Sequence, residues 1–362
     1  ILVGVVSAVV GPFLVHAWIP DLFGWGDTFL STTRGIILHP ILAVVFLLIS
    51  RRKWSAEDYY EFGLRAQNPA KTVKWYRKAA EQGHAKASLS LALMYANGEG
   101  VAQDDAQALE WTRKAAEQGN AMAQNALGDM YLYGHHGVAQ DYSQALKWHH
   151  KAAEQGDVEA QVSLALMYSD GEGVAQDDAQ AAEWYRKAAE QGHVDAQFLL
   201  GAMYHESIGP EGMAKDNAQA LKWYRKAAAQ GYAGAQSNLG VMYAEGEGVV
   251  QNHAKAAEWH RKAATQGNAG SQYALGCMYD DGKFAWCRMA KAPPHWHQLQ
   301  GLFWPGLKYL LTFLLYWYRM KKVLEWYRKA AAQGYAGAQY SLGGMYANGE
   351  GVAQDDAQAL EW

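Results

Sequence analysis

The sequence predicts an all-α protein, a right-handed α-solenoid (superhelix) of antiparallel helix-hairpin repeats preceded by one or two hydrophobic membrane helices. Three observations carry that reading. One pattern recurs over residues 85–120, 121–157, 158–193, 194–232 and 233–268. Each copy holds two apolar stripes of helical period separated by paired glycines. Two apolar runs, at 1–19 and 35–50, precede the first copy.

The N-terminal segment, residues 1–53, is expected to meet a membrane. Gly35–Ser50 would make roughly 24 Å of helix at about 1.5 Å per residue, short of a hydrocarbon core of ~30 Å. Arg51, Arg52 and Lys53 follow directly and can snorkel to extend its reach. Positive charge after the apolar run is the reverse of a cleaved signal peptide and places the repeats on the cytoplasmic face. Residues 1–19 then form a first crossing.

Residues 54–283 read as the repeat solenoid, opened by a shortened unit over 56–83. In the first helix of a unit, Ala87, Leu91 and Met94–Tyr95 form the apolar stripe. Gly98 and Gly100 then break the helix, because glycine adopts left-handed backbone angles at little cost. Asp104 and Gln107 form an aspartate version of the capping box, repeated as Asp141/Gln144, Asp177/Gln180, Asp216/Gln219 and Asp355/Gln358. Ala108, Trp111, Ala115 and Ala116 make the stripe of the second helix. Basic pairs such as Arg113-Lys114 and Arg186-Lys187 lie toward its negative end, and Gly119, Gly156, Gly192, Gly231, Gly267 and Gly334 close it.

One hairpin cannot bury its own apolar face, so neighbouring units must stack. Small residues beside the core leucine (Ala92, Gly128, Ala165, Gly201, Gly240, Gly276, Gly343) leave room for close helix approach. The ladder Trp75, Trp111, Trp148, Trp184, Trp223, Trp259, Trp326 is assigned to the core rather than to an aromatic binding strip, since it keeps helical register with paired alanines.

The run Ala-Gln-x-x-Leu-Gly-x-Met-Tyr, Gly-Glu-Gly-Val-x-Gln-Asp, Ala-x-x-Trp-Tyr-Arg-Lys-Ala-Ala-x-Gln-Gly resembles the Sel1-like repeat, a relative of the tetratricopeptide repeat. The likeness covers most of residues 56–283 and 323–362. It implies an all-α solenoid acting as an adaptor or scaffold. Bacterial relatives are often envelope or secreted factors that touch host proteins, regulators or cell-wall material. Some staple their repeats with disulfides, a feature missing here.

Residues 284–322 break the pattern and read as an atypical insertion or a frameshift scar; repeats resume over 323–362. A membrane contact through Leu307–Tyr318 is the functional reading of that segment, and extension of a second helix is the plain one. The chain opens on Ile1 and stops at Trp362 inside a repeat, so a fragment is expected.

Composition narrows the chemistry. A net charge of -4 gives no basic face for nucleic acid. Two cysteines, Cys277 and Cys287, cannot frame an array this long. His135, His136, His149 and His150 lack a Cys or carboxylate to complete a metal set and are read as solvated surface. The glutamates of the Gly-Glu-Gly turns, such as Glu99 and Glu172, supply too few oxygens for calcium. Neither a nucleophile elbow, a phosphate loop nor a His-Glu-x-x-His motif occurs. The expectation is therefore no enzyme, no cofactor and no metal. The expected partner is a protein or peptide held on the concave face, where Lys86, Asn125, Phe198, Asn238 and Tyr273 vary between units. The competing readings are an exported or cell-wall-associated virulence factor, a hydrolase on the same scaffold, and a degenerate gene copy. An exported protein would place the repeats in the periplasm or outside the cell.

Overall fold

The computed structural model describes residues 54–206, 215–280 and 305–362, with side chains from Phe313 onward in the last stretch. Every regular element among them is a helix. In chain order these are α1 (Ala56–Arg65), α2 (Pro69–Glu81), α3 (Ala85–Asn97), α4 (Asp105–Glu117), α5 (Ala121–Tyr133), α6 (Tyr142–Glu154), α7 (Val158–Asp170) and α8 (Asp178–Glu190). There follow α9 (Val194–Glu206), α10 (Asn217–Ala229), α11 (Ala233–Glu245), α12 (His253–Thr265), α13 (Ala269–Asp280), α14 (Pro305–Ala331), α15 (Ala336–Asn348) and α16 (Asp356–Glu361). Odd-numbered helices are the first of each hairpin and even-numbered ones the second. Each helix packs on the next, which makes an all-α solenoid.

The start and stop signals act as their chemistry requires. Gly98, Gly134, Gly171, Gly246 and Gly349 end first helices in the left-handed conformation. The Asp104 carboxylate accepts from the Gln107 amide at 3.0 Å. The reciprocal half of the expected capping box is displaced. The Asp104 N–H donates instead to the Tyr95 carbonyl at 3.0 Å, and Asp141, Asp177 and Asp216 repeat the bond to Tyr131, Tyr168 and Tyr204. The cap amide thus ties the second helix to the end of the first.

The small residues do more than allow close approach. A Cβ on Gly128 would sit 2.7 Å from the His149 ring, one on Gly201 2.7 Å from Tyr224, and one on Gly240 2.6 Å from His260. Gly63 and Gly276 face Tyr76 and Tyr327 in the same way. Each glycine is a socket for one ring from the second helix of its own hairpin. The tryptophans follow the expectation with one refinement: Trp111, Trp148, Trp184 and Trp223 are buried, whereas Trp75, Trp259 and Trp326 are half-buried. A lysine three residues on lies over every one, from Lys187 at 3.6 Å above Trp184 to Lys78 at 5.1 Å from Trp75. The ring therefore meets apolar packing on one face and a cation on the other.

Three rungs join hairpin to hairpin. Glutamines of the first helices reach the end of the preceding second helix, as in Gln161 to the Ala153 carbonyl at 3.2 Å. Arginines reach the tyrosine of the following first helix, as in Arg225 to Tyr243 at 2.7 Å. Aromatic pairs such as Phe198 and Tyr232, with centroids 4.9 Å apart, fill the joint between first helices.

Both apolar N-terminal runs lie in residues 1–53, outside the described residues, and so does the loop insertion at 207–214. Among the described residues no helix is long and apolar enough to cross a membrane. The single helix α14 crosses the boundary drawn at 322/323. Its C-terminal half packs on α13 and carries Tyr327 into the Gly276 socket, completing the hairpin that α13 begins.

Candidate interaction surface

The stripe that faces the core leaves a complementary stripe on each first helix pointing away from it. On α3 this outer face carries Lys86, Leu93 and Asn97, all exposed. On α5 it carries Met122 and Tyr133, and on α7 Glu159, Leu166 and Asp170, again exposed. From α3 to α13 the acids of this row are Asp129, Glu159, Asp170, Asp195, Glu206 and Glu245, and Lys86 is the one Lys or Arg. The row combines negative charge with large apolar side chains left in water: Met122 is 60% exposed and Leu93 56%. The basic residues sit on the second helices, over the tryptophans.

The five sequence candidates divide between two places. Lys86 is exposed on the outer face, and Asn238 is half-buried one turn along the equivalent face of α11. Asn125, Phe198 and Tyr273 occupy one equivalent position that turns toward the joint between hairpins. Phe198 packs on Tyr224 and Tyr232, and Tyr273 on Tyr327 and Tyr335. Asn125 accepts from His149 Nδ1 at 3.0 Å. The structure therefore does not gather the five into one patch.

His149 departs from its reading as solvated surface: it is completely buried. It occupies the column of Tyr76, Tyr185 and Tyr224, and its ring fills the Gly128 socket. Burial, and secondarily the neighbouring His150, lowers its pKa to about 4, so it is neutral at physiological pH. Its Nε2 points toward Asp129 Oδ1 at 3.6 Å. Burial, together with Asp157 and Glu159, raises the Asp129 carboxyl to about 6. His260, in the Gly240 socket, bonds Ser271 Oγ at 3.1 Å, and burial lowers it to about 4. These rings are packing elements with one hydrogen bond each. Comparing the residue after each tryptophan would have revealed them. Among the described residues no group of three or more His, Cys, Asp or Glu is placed to hold a metal ion.

The family model of the Sel1 repeat matches residues 53–84, 85–120, 121–157, 158–193, 194–232, 233–268, 269–285, 324–335 and 336–362. No curated protein matches the chain. Among solved structures, it is similar to a protective antigen present in uropathogenic Escherichia coli strains, which displays an SLR fold. The two are 37% identical with a TM-score of 0.63, over 85% of this chain and 68% of that one. It is also similar to a Sel1 repeat protein from Oxalobacter formigenes, at 33% identity and a TM-score of 0.59, over 85% of this chain and 81% of that one.

Proposed function

Because the chain belongs to the Sel1 repeat family, we propose that it is a non-catalytic protein-interaction scaffold that presents its first-helix row to a protein or peptide and is tethered to a membrane by residues 1–53. The observation that carries the reading is the composition of that row. Leu93, Met122 and Leu166 stand exposed among Asp129, Glu159 and Asp170, while the leucine, tryptophan and paired-alanine columns of the core hardly change from unit to unit. Exposed apolar anchors within a field of one sign suit a partner with basic and apolar side chains, whose charges speed encounter while its apolar groups supply affinity. Arg51, Arg52 and Lys53 favour the cytoplasmic side for the repeats.

The test is site-specific photo-crosslinking in intact cells, with a photoreactive phenylalanine replacing Leu93, Met122 or Leu166 and, separately, Glu110 or Glu183 on second helices. Discrete adducts to one protein from the first-helix positions alone support the proposal. Equal adducts from both faces, or turnover of peptidoglycan or peptide by purified protein, contradict it.

One observation favours a second reading, in which the repeats are exported and meet a host. The Escherichia coli relative is described as a protective antigen. Protease treatment of intact against opened cells separates the two placements.

A further inference from the structure

The second helices of the other complete hairpins from α4 to α12 are 13 residues long, and α14 is 27. Aligned on their tryptophans, they match the part of α14 that begins at Met320. That is where its packing begins as well: Met320 and Val323 are buried, and Met320 fills the space above Gly351. The extension from Pro305 to Arg319 is about 22 Å long at ~1.5 Å per residue.

The part of this extension nearest the solenoid is unlike any other surface among the described residues. Phe313, Leu314, Leu315, Tyr316, Trp317 and Tyr318 are consecutive, and all are exposed, from 43% at Tyr318 to 63% at Phe313. Consecutive helical residues lie about 100° apart, so six of them encircle the axis. A protein partner covers one stripe of a helix; an apolar collar on every side calls for an apolar solvent. The order of residues adds direction. Tyr316, Trp317 and Tyr318 form the aromatic border, and Arg319 and Lys321 come next, lying over Tyr316 and Trp317 at 5.5 and 5.3 Å. Lys322 pairs with Glu325, the first acid after the collar. From Phe313 onward, apolar residues, an aromatic border and basic residues follow in the order of environments met on leaving a bilayer with an anionic surface.

We propose that the α14 extension dips into an anionic lipid surface, seating Phe313–Leu315 among the acyl chains, Tyr316–Tyr318 at their border and Arg319 and Lys321 at the headgroups. At about 22 Å it is shorter than the ~30 Å hydrocarbon core and does not cross it. The contact is separate from any made by residues 1–53, and with them it would hold the solenoid at two points.

The full chain bound to vesicles tests this, using equal parts of phosphatidylcholine and phosphatidylglycerol with a lipid carrying a photoreactive group in its acyl chain. After irradiation and trypsin digestion, adducts are expected on peptide Tyr309–Arg319. They should fall several-fold in the double variant Phe313→Ser/Trp317→Ser, in Lys321→Glu, and on vesicles of phosphatidylcholine alone. Adducts within residues 1–53 should persist in all three. Every substituted side chain is exposed, and unchanged far-ultraviolet circular dichroism verifies the fold. An unlabelled Tyr309–Arg319 peptide beside a labelled N-terminal segment overturns the proposal. So does labelling indifferent to the variants, or a crosslink showing the collar covered by residues 281–304 or by a second copy.

Discussion

Gln155 donates from Nε2 to Oε1 of Gln124 at 2.7 Å, and Gln124 donates in turn to the Ala116 carbonyl at 3.0 Å. One buried side chain thereby connects α6, α5 and α4. It gives a second partner to a last-turn carbonyl that also accepts from the Gly119 amide at 3.1 Å. The arrangement recurs as Gln191–Gln161–Ala153, Gln230–Gln197–Ala189, Gln266–Gln236–Ala228 and Gln333–Gln272–Ala264. It is a polar seam through an otherwise alanine-rich core.

Gln161→Leu keeps the shape but removes the bonds to the Ala153 carbonyl and from the Gln191 side-chain amide, each of which keeps another partner, the Gly156 amide and the Gly156 carbonyl respectively. The expected loss is about 1–3 kcal/mol, the net worth of two hydrogen bonds at roughly 0.5–1.5 kcal/mol each. Urea unfolding of the variant against the parent chain measures it.

The glycine sockets give a paired test on helical glycines. Gly128→Ala drives a methyl into the His149 ring and is expected to cost about 1–3 kcal/mol, as overpacking does. Gly344 has open space around its Cβ position, so Gly344→Ala should be neutral or stabilising by up to about 1 kcal/mol through helix propensity. Thermal unfolding of the two variants should shift in opposite directions.

The buried histidines make stability depend on pH. His149 and His260 have folded pKa values near 4, below the ordinary 6.5. Between those values the unfolded chain binds protons that the folded chain refuses. Their contribution is thus present above about pH 6.5 and is lost as pH falls toward 4. Asp129, raised to about 6, has the opposite sign over part of this window. It is a half-exposed group set against two buried rings, so the net direction is acid destabilisation. His149→Tyr/His260→Tyr, which installs the side chain found in sister hairpins, should flatten the fall in melting temperature between neutral pH and pH 4.

The tryptophan–lysine stacks separate a core role from a binding role. Lys187→Ala removes a cation 3.6 Å from Trp184 and an ion pair with Glu183, and should cost about 0.5–1 kcal/mol. Trp184→Ala should cost about 3–5 kcal/mol. Equal small losses from both would move the ladder from the core to the surface; calorimetry decides.

The hairpins were legible because start, face and stop signals agree: Asp104 caps, Trp111 faces inward and Gly119 closes. The lost half of the capping box was not legible. It depends on the Tyr95 carbonyl, which only the closed hairpin brings to the Asp104 amide. His149 was misread because its polarity was weighed alone, when its column holds tyrosines in sister hairpins. Variation between units pointed to Asn125, Phe198 and Tyr273, yet each joint also needs side chains fitted to its own neighbour. Phe198 against Tyr232 shows that variation can record fit as well as recognition. The pairing of α14 with α13 was hidden by the irregular sequence between them, although the unbroken helical run up to Trp326 was visible.

The central claim is that hairpins hold one another, so that the first-helix row is one continuous surface. Hydrogen exchange of the full chain carrying Gln161→Leu tests it most directly. Loss of protection should appear in α6 and α8 together with α7, because the removed side chain joins all three. Loss confined to α7, with its neighbours exchanging as in the parent protein, would contradict it.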